Sequence, residues 1–149
     1  MARIAYLLDT NVLSEPVVAR PNPRVMQQIA ANRQSLAISS VTWQEALFGL
    51  YLLPPGRRRD QVEDYLFRRV RPSLPILGFD EPAASWQAQE RARLRQAGRT
   101  PSYADSQIAA IAAANDLVLV TRNLADFQDF EGLRAESWFD RPAGEPRKF

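Results

Sequence analysis

The chain contains no histidine and no cysteine, and these two absences exclude much of the usual chemistry of active sites. Without histidine there is no Ser-His or Cys-His nucleophilic pair and no imidazole zinc site. Without cysteine there is no disulfide and no thiolate metal site, and a cytoplasmic location is the default expectation. No apolar run approaches the ~18 residues of a membrane span, so no membrane association is expected. The apolar start reaches Asp9 too early for a secretory segment. Lysine is almost missing: Lys148 is the only one, arginine carries nearly all the positive charge, and the formal net charge is +2. Any metal must therefore be held by oxygen, which favours hard divalent ions such as Mg²⁺ or Mn²⁺. The forked guanidinium suits phosphate and permits a nucleic-acid partner. A high-GC genome would give the same arginine bias, so charge alone decides nothing.

What is present is the composition of one globular domain: 149 residues, 46% hydrophobic and 24% charged. We place that domain at 1–138 and a C-terminal tail at 139–149, expected to be mobile or to run over the surface. Short apolar runs alternate with helical patterns. Strands are expected at Ile4–Leu8, Leu36–Ser39, Pro75–Phe79, Leu117–Thr121 and near Leu133–Ser137. Asn22-Pro23 caps a helix running to Asn32, and Val41–Leu53 reads as an amphipathic helix stopped by Pro54-Pro55-Gly56. Arg57–Arg71 is a charged helix with Val62, Tyr65, Leu66 and Val70 on one face. Asp80 caps a long helix ended by Gly98, and Ser102 opens another, rich in Ala and Ile. The alternation implies an α/β sandwich around a mostly parallel sheet.

The acids fall in telling places. Asp9 ends the first strand, Glu45 lies near the start of the helix after the second, and Asp126 closely follows the strand Leu117–Thr121. In open parallel sheets the ligand crevice lies outside the carboxyl ends of the strands. Asp105 joins that edge if its helix starts there. Each acid also has a plainer reading. Thr42-x-x-Glu45 fits a capping box and Ser102-x-x-Asp105 a looser one; Asp9 can cap a helix, and Asp126 can be a solvated turn acid. Together the argument is stronger. Carboxylates about 4 Å apart repel by roughly 4 kcal/mol per pair at an effective dielectric near 20, so gathering three or four calls for a cation. Divalent clusters of this kind serve phosphodiester cleavage.

The run Leu7-Leu8-Asp9-Thr10-Asn11-Val12-Leu13-Ser14-Glu15 resembles the opening of PIN-domain ribonucleases, above all the toxins of VapC-type, FitB-like toxin–antitoxin pairs. The likeness continues through 21–25 and 38–45, resumes in Gly98–Ala110, and closes with Leu119–Phe127. The resemblance implies a PIN-like three-layer α/β/α sandwich with four to five strands, and an endoribonuclease dependent on Mg²⁺ or Mn²⁺. Asp9, Glu45 and Asp105 match the family's acidic triad, and Asp126 its more variable fourth acid. Asn123 stands where it can share that role, with Thr121 and Asn11 as supporting residues beside Asp9. A homodimer held inactive by a cognate antitoxin is implied, with DNA contacted only through the antitoxin. Trp43-Gln44 and Ser106-Gln107 depart from the residues usual in the family at those places without removing an acid.

Arg91, Arg93, Arg95, Arg99 and Arg122 are candidates for RNA backbone contacts, although for most of them a solvated helix face is the stronger reading. Trp43, Phe48 and Tyr51 read mainly as core, with the alternative that some of them line a partner groove. A phosphatase using Asp9 as nucleophile would carry a second acid where Asn11 stands. A non-catalytic protein that binds a partner through its acidic groove is the main alternative. A DNA-binding regulator lacks its helix-turn-helix.

Overall fold

A computed structural model of the chain describes residues 3–139. The expected tail, Phe139 apart, lies outside the described residues. Strands β1 (Tyr6–Leu8), β2 (Leu36–Ser39), β3 (Ile76–Leu77), β4 (Val118–Val120) and β5 (Ala135–Glu136) form one sheet in the order β3-β2-β1-β4-β5. Every pairing is parallel. All five lie inside the expected ranges, but most are shorter, because strand pairing stops where the neighbouring strand turns away.

The pleat sends alternate side chains to opposite faces. Leu7, Ala37 and Leu119 pack with Ile108, Ala109 and Ile111 on one side. Leu8, Leu36, Ile38 and Val120 pack with Val12, Val25, Leu50 and Leu66 on the other. The result is the expected three-layer sandwich, with the sheet buried on both faces as parallel sheets are. Each fully buried Leu or Ile contributes about 1.5–3 kcal/mol relative to exposure.

Helices α1 (Thr10–Leu13), α2 (Pro23–Ala31), α3 (Ser40–Leu52) and α4 (Arg57–Asp64) are followed by a π-type segment over Tyr65–Val70 and a short turn, α5 (Arg71–Ser73). The expected single helix over Arg57–Arg71 is therefore wound in three ways. Leu66 and Val70, an i, i+4 pair within the π segment, are both buried. Tyr65 Oη donates to the Leu13 carbonyl at 2.6 Å. Asn22 caps α2 as expected, accepting from the Arg24 and Val25 amides.

Two long helices complete the fold: α6 (Glu81–Gln96), capped by Asp80, and α7 (Tyr103–Ala114), capped by Ser102. Between them Gly98 adopts φ +78°, a left-handed turn that glycine takes at little cost. The Arg99 amide donates to the Leu94 carbonyl and the Gly98 amide to that of Arg95, closing α6 with a Schellman motif. Among the described residues no helix is long and apolar enough to cross a membrane.

The aromatic residues of α3 divide. Trp43 packs edge-on against Phe67 at 5.6 Å, as expected of core. Phe48 and Tyr51 are 59% and 58% exposed, and Leu52 is 69% exposed, so these two aromatics are not core and the alternative of an exposed face stays open for them. They sit on a helix face that the sheet does not cover.

Candidate active site

The chain leaves β1 toward β2 and β3 on one side and returns as β4 and β5 on the other. The connections therefore diverge between β1 and β4, where a parallel sheet opens a crevice at its carboxyl edge. The last register pair there is Leu8 with Val120, and the next residues are Asp9 and Thr121. Thr121 Oγ1 donates to Asp9 Oδ2 at 2.8 Å, and the Thr10 amide donates to Asp9 Oδ1 at 2.8 Å. Asp9 does cap α1, yet only one of its oxygens serves the cap. The Asn123 amide donates to Thr121 Oγ1 at 3.1 Å, so the hydroxyl is oriented from both sides. Asp9 is 7% exposed. Burial raises its pKa, the two hydrogen bonds oppose that rise, and the charge of Asp126 adds to it.

Glu45 is not the capping residue that its spacing suggested. The N-cap of α3 is Ser39, whose Oγ accepts from the Thr42 amide at 2.9 Å, so Thr42 occupies the third helical position and Glu45 lies a turn further on. Its Oε1 accepts from Thr10 Oγ1 at 3.0 Å. Burial raises its pKa, and the charge of Asp9 contributes in the same direction. Thr10, a link that the sequence reading missed, thus touches two acids at once: its amide meets Asp9 and its hydroxyl Glu45. The only signal was its place in the Asp-Thr-Asn run.

Asp105 lies in the first turn of α7, and its amide donates to the Ser102 hydroxyl at 3.2 Å. The cap accounts for the backbone but not for the carboxylate. A helix N-terminus favours negative charge, yet the pKa of Asp105 is pushed up to about 6, first by burial and then by the charges of Asp9, Asp126 and Glu45. Asp126 ends a 3₁₀ turn, Leu124–Asp126, and is exposed. All four acids therefore meet electrostatically at one edge. Among the described residues none of them is ion-paired.

The supporting residues separate by role. Asn11 Oδ1 accepts from the Arg122 amide at 3.1 Å, which ties α1 to the loop bearing Asp126. The Asn123 side chain is exposed and makes no hydrogen bond among the described residues. Ser106, one of the departures from the usual pattern, is fully buried. Its hydroxyl donates to the Tyr103 carbonyl at 2.8 Å and accepts from Gln87 Nε2 at 2.9 Å and Arg91 at 3.3 Å. That cluster pins α6 to the first turn of α7, next to Asp105. Sequence patterning treats a helix serine as neutral and gave no sign of it.

The arginine candidates also divide. Arg93 pairs with Glu90 and donates to the Asp129 carbonyl, while Arg99 pairs with the Asp129 carboxylate. Arg122 stacks on Phe139 at 4.7 Å. Arg91 is drawn inward by Pro101 and Ser106. The Arg95 side chain joins no ion pair, hydrogen bond or ring contact among the described residues.

A family described as PIN domain matches residues 6–133. Among relatives that span nearly the whole chain, toxin FitB of Neisseria gonorrhoeae is 33% identical over 137 residues, covering 90% of this chain and 99% of that protein. The tRNA(fMet)-specific endonuclease VapC of Salmonella typhimurium is 32% identical over 136 residues, covering 91% and 98%. A solved structure of FitAB bound to the IR36 DNA fragment matches with a TM-score of 0.82 at 28% identity, covering 94% of this chain and 99% of that one.

Proposed function

The chain belongs to the PIN-domain family, and on that premise we propose that it is the toxin of a type II toxin–antitoxin pair, an endoribonuclease dependent on Mg²⁺ or Mn²⁺. The observation that carries the reading is the set of four carboxylates at the β1/β4 switch point. Three of them are held at raised pKa by burial and by each other, and among the described residues no basic side chain pairs with them. A fold tolerates that arrangement where a cation offsets it. The names of the relatives, an endonuclease and a toxin, agree with it.

The donor set suits such a cation in chemistry, being all carboxylate oxygen. Among the described residues no three acids are placed so that they could hold a metal ion as they stand. Asp9 is the fixed point, clamped by Thr121 and Thr10. Glu45 and Asp105 are half-buried and Asp126 is exposed, and a bound cation would require these three to close on it. When bound, the cation supplies Lewis acidity to water and to the phosphate. The chain's own part is to hold Asp9 in one orientation, to bring Glu45 and Asp105 beside it, and to exclude competing cations of its own. Water adds to phosphorus as the bond to the 3′ oxygen breaks. The water proton leaves to solvent and the 3′ oxygen gains one, giving 5′-phosphate and 3′-hydroxyl ends.

The chain acts in the cytoplasm as a homodimer and is restrained by a cognate antitoxin, through which it reaches DNA. A FitAB complex on DNA supports that partnership, and the exposed Phe48, Tyr51 and Leu52 give a partner an apolar face. The test is cleavage of total RNA by wild type and Asp9→Asn with Mg²⁺ or Mn²⁺, the ends being mapped. Wild type should cut and the variant should not. A fully active variant would sink the metal-site reading, and an inactive wild type would favour a silent PIN-like interaction protein.

A further inference from the structure

The end of α6 and the start of α7 enclose a cleft of about 490 Å³ lined by Arg91, Ala92, Arg95, Arg99, Thr100 and Pro101. Three of these six residues are arginines and none is acidic. The Gly98 turn makes the cleft, because it folds the chain back so that Arg99 stands beside the i, i+4 pair Arg91 and Arg95. The three differ in what already holds them. Arg91 donates to the Pro101 carbonyl at 3.1 Å and stacks on the Tyr103 ring at 4.9 Å. Arg99 shares its charge with Asp129. Arg95 is exposed and has no partner among the described residues. The cleft therefore carries an excess of positive charge.

The chain runs on from the cleft into the helix that carries Asp105. Pro101 precedes the cap Ser102, and Tyr103 lies two residues before Asp105. Tyr103 is 60% exposed, although an aromatic ring beside a buried helix face would be expected to turn inward. Arg91 backs one side of that ring, which leaves the rest of it open. An exposed aromatic ring close to a cluster of arginines, one of which, Arg95, has no side-chain partner among the described residues, is the combination that single-stranded nucleic acid uses: bases stack on the ring and phosphates meet the arginines.

We propose that this cleft is a subsite for single-stranded RNA, in which Arg95 and Arg99 contact phosphates and Tyr103 stacks a base next to the scissile bond. The inference rests on the ribonuclease reading. It assigns phosphate contact to two of the candidate arginines and withholds it from Arg93, which is occupied by Glu90 and by the loop.

The test uses full-length protein in the Asp9→Asn background without added metal, so that RNA is bound and not cut. A single-stranded RNA oligonucleotide is titrated by fluorescence anisotropy at several salt concentrations. Replacing Arg95 and Arg99 together by Ala should weaken binding and make the salt dependence shallower by about 1.4 in log–log slope, at about 0.7 per phosphate contact. Tyr103→Ala should weaken binding about fivefold or more with the slope unchanged. Asp129→Ala, which frees Arg99, should bind as well as the parent or tighter, whereas loss of a merely structural pair would weaken it. Arg93→Ala should leave the slope unchanged. If the parent binds RNA and the double arginine variant binds with the same affinity and slope, the subsite is wrong and the cleft serves a partner other than RNA. If the parent does not bind RNA and wild type does not cut it, the ribonuclease reading fails and the subsite with it.

Discussion

Glu90, buried, and Asp105, half-buried, show how differently one fold treats the same kind of group. Glu90, on α6, is 8% exposed. It is met by Arg93 through two hydrogen bonds of 2.8 and 2.9 Å and by the Glu131 amide. Those hydrogen bonds hold its pKa below the usual value. Asp105, on α7, meets no cation, faces three other carboxylates, and has its pKa pushed up to about 6. One acid is satisfied and clamps the loop 129–131 to α6. The other is held where its charge is unwelcome, a cost that folds accept at functional sites. A buried acid is thus read by its neighbours and not by its burial.

The comparison can be broken at several points. The largest effect is expected for Asp9→Asn: cleavage should fall by more than about a hundredfold, beyond what loss of a supporting contact to a metal ligand costs. Circular dichroism should show an intact fold, since Asn also caps α1. Cleavage within tenfold of wild type would remove Asp9 from the site. Next comes Thr121→Val, which deletes the hydroxyl that orients Asp9 and receives the Asn123 amide. Activity should drop about ten- to a hundredfold, and the requirement for Mg²⁺ should shift to higher concentration. An unchanged metal requirement would mean that the hydrogen bond serves only packing.

The two acids are then separated by stability. Glu90→Gln should destabilise by about 1–2 kcal/mol in urea melts at pH 7, with little change in activity per folded molecule. Asp105→Asn should do the reverse: lose cleavage, yet gain about 1 kcal/mol at pH 7.5 in the presence of a chelator, the gain being discounted for partial exposure. Folded Asp105 binds its proton at higher pH than the unfolded chain does. The folded state therefore holds more protons between pH 3.8 and about 6, and wild-type stability falls as pH rises through that window. The advantage of Asp105→Asn should accordingly vanish below it. Glu90 acts oppositely, its contribution being present above its ordinary value of 4.5 and lost as pH falls through its lowered one. An Asp105→Asn variant less stable than wild type at pH 7.5 would mean that the carboxylate is structural.

Much of this arrangement was legible in the chain. Leu117–Val120 reads as a buried parallel strand because it is apolar throughout, and Asn22-Pro23 marks a helix start because both residues suit those positions. Asp9 could be placed because an acid directly after an apolar strand has few structural reasons to be there. Glu45 could not be settled. Ser39, Thr42 and Glu45 repeat at the same spacing, so two registers of cap compete, and only the end of β2 at Ser39 decides between them. Nor could the arginines be sorted, since the Asp129 carbonyl that helps to hold Arg93 and the Asp129 carboxylate that pairs with Arg99 lie 36 and 30 positions away along the chain.

Residue type alone, then, narrowed the chemistry: with no histidine and no cysteine, any side-chain ligand at this edge has to be an oxygen, from carboxylate, amide or hydroxyl. Periodicity determined the alternation of strands and helices, because burying one face is a local demand on the chain. Strand order belonged to the tertiary structure, and with it the meeting of Asp9 and Thr121, which are 112 positions apart. That contact follows from the pairing of β1 with β4. No local pattern encodes such a pairing, because it depends on how all the layers pack together.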